Sequence, residues 1–179
     1  SILTCINIPV SVTSICDIAF YTCTGLTSVT IGNSVTSIGE SAFYYCTGLK
    51  ELTIPCSAKI YNSEYTFYNC TNIEKVTLTK GTGTMQDYGT STDSSSSTTY
   101  YQYTPWYISR NSIKQVLIED GVQNIGSYAF YGCIGLTKIT IPDSVTSIGD
   151  DAFWGCTGLT SVTIPDSVTS IGSCAFEDC

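Results

Sequence analysis

The sequence predicts a solenoid, a chain that winds repeatedly around one axis, and three observations support this prediction. A similar segment recurs, and its copies are separated by 23, 23, 24, 40, 23 and 23 residues. A constant period in the twenties is typical of stacked repeats. Apolar and hydroxyl residues alternate within each copy, and Phe and Cys return at constant places. We therefore expect residues 1–179 to form one array of about seven repeats. The repeats start at Leu3, Leu26, Leu49, Ile73, Ile113, Leu136 and Leu159.

Each copy begins with a segment that has the pattern of a half-buried strand. In residues 26–31, Leu26, Val29 and Ile31 are expected to point into the core, and the Thr and Ser side chains to point outward. This spacing of apolar residues, with its β-branched composition, is typical of a strand with one buried face. The chain then breaks at Gly32 and Asn33, which are common turn residues.

The second half of each copy is predicted to contain a shorter extended element and a tight return. The run Ser-Val-Thr-Ser-Ile-Gly at residues 34–39 again alternates, with Val35 and Ile38 inward. Ala42 and Phe43 follow, so that a small residue permits close approach and a ring fills the interior. Cys46 then leads back to the next strand.

Ten cysteines would ordinarily suggest a disulfide framework, but six of them occupy the same place in the repeat. Stacked strands lie about 4.7–4.9 Å apart, so each of these residues meets an identical neighbour on both sides. That arrangement favours a column of buried thiols over unique pairs. The state of the four other cysteines stays open. The column comprises Cys23, Cys46, Cys70, Cys133, Cys156 and Cys179, and the others are Cys5, Cys16, Cys56 and Cys174.

The consensus L-x-x-V-T-I-P-x-S-V-T-S-I-G-x-x-A-F-x-x-C-T-G resembles the BspA-type leucine-rich repeat of bacterial and some protist surface proteins. The match is clean in the copies at Leu26, Leu136 and Leu159, and close in those at Leu3 and Ile113. The resemblance implies a right-handed, β-rich leucine-rich-repeat solenoid with one parallel sheet built from the first strands. Each repeat would add a second short extended element and a tight helical or irregular turn. The resemblance also implies an extracellular or cell-surface location and adhesion to a host or extracellular matrix protein or glycan.

Two copies depart from the consensus. The third replaces its second extended element with residues 56–62, so we expect that strand to be distorted. The fourth carries extra Ser-, Thr- and Tyr-rich residues at about 79–104, which we expect to project as a loop. After the insertion, the spacing places Tyr107 at the Phe position and Arg110 at the Cys position.

Composition and motifs disfavour several classes of function. Fifteen acidic and seven basic residues give a net charge of -8, which disfavours nucleic acid and anionic membranes as partners. The apolar runs are too short to span a bilayer. The chain has no His, and no Cys-x-x-Cys motif, so we predict no catalytic, cofactor or metal site. Because neither end carries a polar capping repeat, we expect the sequence to be an excerpt of a longer protein.

The outward residues of the first strands are therefore the candidate binding site. We predict a recognition patch on the charged middle of this face, together with tyrosines of the nearby insertion. The alternative is that these charges only solubilise the surface or pair across strands. The predicted residues are Lys50, Glu51, Glu74, Lys75, Lys114 and Lys138, with Tyr100, Tyr101 and Tyr103.

These features predict a non-enzymatic recognition or adhesion module. One alternative is a structural spacer within a larger surface protein. A more remote alternative is a carbohydrate-active enzyme, which would need two carboxylates about 5–10 Å apart in one groove.

Overall fold

The chain folds as coils stacked along one axis, and the stack carries one large parallel sheet. The computed structural model describes residues 3–61, 63–88 and 104–179, without the side chains of residues 63 and 64. Within these ranges the first segments of six repeats form a six-stranded parallel sheet, whereas the seventh, from Leu159, adds no strand to it, contrary to the expectation of one strand per repeat. In spatial order it contains β1 (Cys5–Ile8), β3 (Ser28–Ile31), β5 (Glu51–Pro55), β7 (Lys75–Thr79), β8 (Gln115–Ile118) and β10 (Lys138–Thr140).

The register of this sheet continues without a shift through the long fourth repeat. Glu51 pairs with Lys75, and Lys75 pairs with Gln115, although the second step spans an additional segment of chain. Val29, Leu52 and Val76 form one inward row that is at most 1% exposed. A one-residue slip would turn this apolar row to solvent, so burial holds the register.

The second extended elements are two-residue strands that form two separate sheets within the described part of the chain. The first contains β2 (Ser14–Ile15), β4 (Ser37–Ile38) and β6 (Lys59–Ile60), and the second contains β9 (Asn124–Ile125), β11 (Ser147–Ile148) and β12 (Ser170–Ile171). The expected distortion in the third repeat was wrong, since Lys59 and Ile60 pair in register with Ser37 and Ile38. The additional residues lie at the following corner, which holds the single-turn helix α1 (Ser63–Thr66).

Residues 85–88 fill the gap between the two small sheets, so the first part of the predicted insertion belongs to the stack. Met85 exchanges hydrogen bonds with the side chain of Asn124, at 3.0 and 3.1 Å. Asp87 accepts the amide of Ser127 at 2.7 Å, as Asp17 accepts that of Glu40 in the first two coils. The rest of the predicted loop, residues 89–103, lies outside the described residues.

A continuous stack of aromatic rings runs through the core, as the repeated Phe predicts. Adjacent centroids are separated by 5.1 to 6.2 Å. In the fourth coil the ring is that of Trp106, so the assignment of Tyr107 to this position was wrong. Trp106 is 1% exposed, because the larger apolar ring fills the interior better than a phenol would. The stack consists of Phe20, Phe43, Phe67, Trp106, Phe130, Phe153 and Phe176.

The predicted thiol column is buried at Cys46, Cys70, Cys133 and Cys156, and all ten cysteines are free. The prediction was wrong for its two end members, since Cys23 is half-buried and Cys179 is exposed where the stack ends. The Cys46 thiol donates to the carbonyl of Phe20 at 3.2 Å, and that of Cys70 to Phe43 at 3.1 Å. Each bond thus ties one coil to the preceding one. Burial raises the pKa of Cys133, and raises that of Cys156 to about 12.

Ser109, not Arg110, takes the place of the column cysteine in the fourth coil. The Ser109 amide donates to the Trp106 carbonyl at 2.9 Å, as the Cys46 amide donates to Phe43 at 3.2 Å. The buried Ser109 hydroxyl donates to the carbonyl of Cys70. Arg110 is displaced outward, with its guanidinium 4.1 Å from the centroid of the Tyr107 ring.

The return segments of every coil except the fourth are tightened by residues in the left-handed backbone region, among the described residues. They recur two positions before or two positions after the core ring, and most are not glycine. Because L-residues adopt this region at a cost of about 1–2 kcal/mol, packing of the adjacent rings must hold them there. The non-glycine examples are Ile18, Thr22, Ser41, Tyr45, Asn69, Tyr128, Asp151, Cys174 and Asp178.

Candidate binding surface

The outward face of the six-stranded sheet brings the predicted charged residues into two adjacent rows. One row contains Lys50, Glu74 and Lys114, linked by backbone hydrogen bonds of 2.8 Å between successive coils. The second follows the strand register through Glu51, Lys75, Gln115 and Lys138. The sequence alone therefore predicted which residues lie side by side here, because paired strands place residues of the same repeat position next to one another.

All residues of the two rows except Lys138 line a shallow depression with a volume of about 270 Å³. The Lys50 ammonium lies 3.7 Å from a Glu74 carboxylate oxygen, and both side chains are more than half exposed. The Lys114 ammonium donates to the carbonyl of Asn111 at 3.2 Å. An exposed pair of this kind contributes about 0–1 kcal/mol to stability, so these residues are available for other contacts.

The patch is locally cationic on an acidic chain. Its four lysines and two glutamates give a local net charge of +2, against -8 for the whole chain. Lys75 and Lys138 flank the neutral Gln115 in one row. This end of the patch therefore carries a positive potential, and neighbouring Thr hydroxyls can donate and accept hydrogen bonds.

The tyrosines predicted to complete the site, Tyr100, Tyr101 and Tyr103, lie outside the described residues. The flanking residues show where the inserted segment joins the stack. It leaves after Tyr88, at the end of the second extended element, and returns at Thr104, just before the core ring of Trp106. These junctions lie at the corner between the second element and the return segment, and not on the sheet.

No three His, Cys, Asp or Glu side chains of residues 3–61, 63–88 and 104–179 are grouped so as to hold a metal ion. The helix present in these ranges is too short to cross a membrane.

Sequence reasoning missed a second set of surface residues, an aromatic column outside the core. The residue after each core Phe is aromatic at Tyr21, Tyr44, Tyr68, Tyr131 and Trp154. The rings stack on one another, with centroids 5.0 Å apart for Tyr21 and Tyr44 and 4.7 Å apart for Tyr131 and Trp154. The signal was present in the sequence, because these residues share one repeat position.

Stacked coils with one continuous parallel sheet and a recurring inward aliphatic spacing define the class of leucine-rich repeat solenoids. The family profile described as "BspA type Leucine rich repeat region" matches residues 1–107 and 104–179, with six copies. The chain therefore belongs to the BspA-type leucine-rich repeat family, which confirms the resemblance noted from the consensus.

Solved structures of bacterial leucine-rich repeat proteins are similar to this chain. A leucine rich cell surface protein from Faecalibacterium prausnitzii is 30% identical with a TM-score of 0.51, over 99% of this chain and 37% of that protein. A protein from Bacteroides ovatus is 25% identical with a TM-score of 0.56, over 99% and 47% respectively.

A third structure, from Eubacterium ventriosum, is 24% identical with a TM-score of 0.67, over 98% of this chain and 42% of that protein. This chain thus spans less than half the length of these three relatives. A search of curated proteins found no match.

Proposed function

We propose that this chain is a non-enzymatic recognition module, which binds a protein or glycan of a host surface or extracellular matrix through its sheet face. The observation that carries the proposal is the local net charge of +2 on a sheet whose side chains are held in register. Strand pairing fixes the spacing of the backbone from which the lysines project, so binding orders only their side chains and not the backbone. Proteins of this repeat family are generally non-enzymatic, which supports the proposal.

The proposed ligand carries carboxylate or sulfate groups. Lys75, Lys114 and Lys138 face such groups from three adjacent positions around Gln115. The hydroxyls of Thr137 and Thr140 extend the face beyond the lysines, so a polar or glycosylated partner fits it better than an apolar one.

The binding test uses a double variant with a matched control. Lys75→Ala/Lys138→Ala removes two charges from the patch, and Lys59→Ala/Lys80→Ala removes two charges from other sides of the coil. We expect the first variant to reduce retention on immobilised matrix proteins or mucin at least tenfold, and the second to change it less than about twofold. Equal effects of both variants would show that only net charge matters and would refute a defined patch.

An alternative role is that of a structural spacer. It is favoured by the uninterrupted six-stranded sheet, because coils added along one direction lengthen the array and so increase the distance that it can span. A spacer would retain none of the immobilised ligands, in either variant or in the wild type.

We further propose an extracellular or cell-surface location. Support comes from the Faecalibacterium prausnitzii relative, which is described as a cell surface protein. Brief protease treatment of intact cells that produce this chain should remove it while a cytoplasmic marker survives. Full protection of the chain until the cells are lysed would contradict this location.

A further inference from the structure

Five tyrosines of the first three coils form an exposed cluster on the return segments, which we call the tyrosine ridge. The rings of Tyr21 and Tyr44 are stacked with centroids 5.0 Å apart, and those of Tyr44 and Tyr68 are 5.1 Å apart. Tyr45 is tilted by 36° against Tyr44, and Tyr65 by 36° against Tyr68. The ridge therefore combines a rigid stack with two tilted rings at its surface.

The tilted rings leave aromatic surface open to solvent. Tyr45 is 41% exposed and Tyr65 is 39% exposed, whereas Tyr44 and Tyr68 are half-buried between them. Because the phenol groups crowd together, loss of hydration and the neighbouring tyrosines raise the pKa of Tyr44. Clustered, preoriented tyrosines supply a large contact area at low entropic cost, and they are enriched in binding hot spots.

Carboxylates accompany the first two coils of the ridge, whereas in the third coil the Lys59 ammonium lies 4.8 Å from the centroid of the Tyr61 ring. Asp17 and Glu40 are exposed at equivalent places in the first two coils, just before the return segments. Ser41, which follows Glu40, accepts the Tyr44 amide at 3.1 Å, so this carboxylate lies on the segment that enters the ridge. The patch lysines project from the sheet instead. The potential beside the first two coils of the ridge therefore favours a cationic partner.

The same aromatic column already holds a guanidinium in the next coil. The residue after the core ring of Trp106 is Tyr107, which places it in line after Tyr68. The guanidinium carbon of Arg110 lies 4.1 Å from the Tyr107 ring centroid, and the same group donates to the Tyr107 carbonyl at 2.7 Å. This distance is well within the range of a cation–π contact. An arginine thus already contacts a tyrosine ring of a return segment, at the repeat position of Tyr44 and Tyr68, which neighbour the more exposed Tyr45 and Tyr65.

We propose that the tyrosine ridge is a second docking surface, for an arginine- or lysine-bearing peptide segment of a partner protein. Tyr45 and Tyr65 contact the cationic side chains through their ring faces, and Asp17 and Glu40 add longer-range attraction. Each exposed cation–π contact contributes about a two- to fivefold increase in affinity, so the site is of moderate strength and additive with other contacts. The proposal is independent of ligand binding by the sheet.

The test compares two peptides of the same shape on the full chain. One alternates Gly and Arg, and the other replaces each Arg by citrulline, which is isosteric and uncharged. Titration calorimetry is expected to show at least fivefold tighter binding of the arginine peptide. Equal binding of both peptides, or binding of neutral dextran in place of the arginine peptide, would overturn the proposal.

Variants then locate the site. Tyr45→Ala/Tyr65→Ala should weaken binding of the arginine peptide about fivefold or more, whereas Tyr45→Phe/Tyr65→Phe should stay within about twofold because the ring faces remain. Lys75→Ala/Lys138→Ala on the sheet should leave this affinity unchanged. An unchanged affinity in the alanine pair, with the circular dichroism and urea midpoint of the wild type, would refute the assignment to the ridge. A sheet variant that loses matrix retention but keeps the peptide would separate the two surfaces.

Discussion

The second and fourth coils perform the same structural task with different residues. In the second coil, Phe43 is the core ring and Gly39 forms the corner after the second strand. The Cys46 thiol donates a hydrogen bond to the preceding coil. In the fourth, Trp106 is the core ring, and Ser109 donates to the carbonyl of Cys70 in the preceding coil, whereas Cys46 donates to that of Phe20.

Gln86 takes the corner role in the fourth coil, stacked against Gly126. The first-strand sheet passes through both coils in the same register, whereas the short second strands are split into two sheets at the fourth coil. Each coil contacts only its neighbours. The stack therefore needs a suitable residue at each equivalent position, but the number of residues that connect these positions can differ from coil to coil.

The largest effect is expected from removing the ring that bridges the two halves of the stack. Trp106 lies between Phe67 and Phe130, at 5.7 and 6.2 Å. Trp106→Ala should lower the free energy of unfolding by about 3–5 kcal/mol, since the cavity would be fully enclosed. Urea denaturation measures this loss.

The matched control is Trp154→Ala, in the outer aromatic column, where the side chain is half-buried. It should lower stability clearly less than Trp106→Ala. Equal losses would show that the core stack does not depend on the fourth coil.

Replacing Gly126 by alanine should push the fifth coil away from residues 85–88, which form the start of the predicted insertion. A Cβ there would lie 2.1 Å from the Gln86 carbonyl oxygen. Gly126→Ala is therefore expected to cost about 1–3 kcal/mol or more in unfolding free energy.

Gly132→Ala is the comparison, because its Cβ would meet no atom closer than 3.9 Å and only the backbone angle of 66° opposes it. This substitution should cost about 1 kcal/mol. If both variants melt at the same urea concentration, residues 85–88 do not pack as described.

Replacing Ser109 tests whether this hydroxyl substitutes for a thiol. Ser109→Ala leaves the buried Cys70 carbonyl without its donor and should cost about 1–2 kcal/mol. Ser109→Cys should recover part of that stability, because thiols donate to carbonyls elsewhere in the column at 3.1–3.3 Å. Equal destabilisation by Ala and Cys, measured in urea, would show that the fourth coil has lost the column geometry.

Alkaline pH should destabilise the thiol column. Burial raises the pKa of Cys156 from 9.0 to about 12, so the folded chain keeps a proton that the unfolded chain loses above pH 9. This contribution to stability is complete below pH 9 and disappears as pH rises to about 12.

The thiol effect can be isolated with Cys156→Ala. Between pH 9 and pH 10 its stability should fall less than that of the wild type, by at most about 1.4 kcal/mol. Urea midpoints at both pH values measure the difference. Parallel pH profiles for the two proteins would argue that the thiol at this position ionises normally.

The smallest effect is expected on the sheet face. Lys50→Ala removes the exposed ion pair with Glu74 and should change the unfolding free energy by less than about 1 kcal/mol. A thermal melt at low and high salt measures it. A loss above this limit would mean that the patch stabilises the fold, which would weaken its assignment to binding.

Sequence reasoning succeeded wherever the repeat is regular. It placed Phe43, Phe130 and Phe153 in one stack. It also predicted the row through Glu51, Lys75 and Gln115, because in-register pairing puts residues of the same repeat position side by side. It was wrong by one residue in the fourth coil, where the spacing to the next repeat assigned Tyr107 to the core position and the adjacent Trp106 occupies it. It also left out the tyrosine ridge, since exposure of residues such as Tyr45 depends on the geometry of the return segment.

The amino-acid sequence by itself determined the solenoid, the sheet register and the charged rows, because each depends on a short pattern repeated at constant spacing. Only the tertiary structure decided which ring fills the fourth coil, that Met85 and Asp87 belong to the stack, and that the ridge faces solvent. These outcomes depend on the shape that neighbouring coils leave open. That shape is a property of contacts between coils, which the sequence of one repeat does not contain.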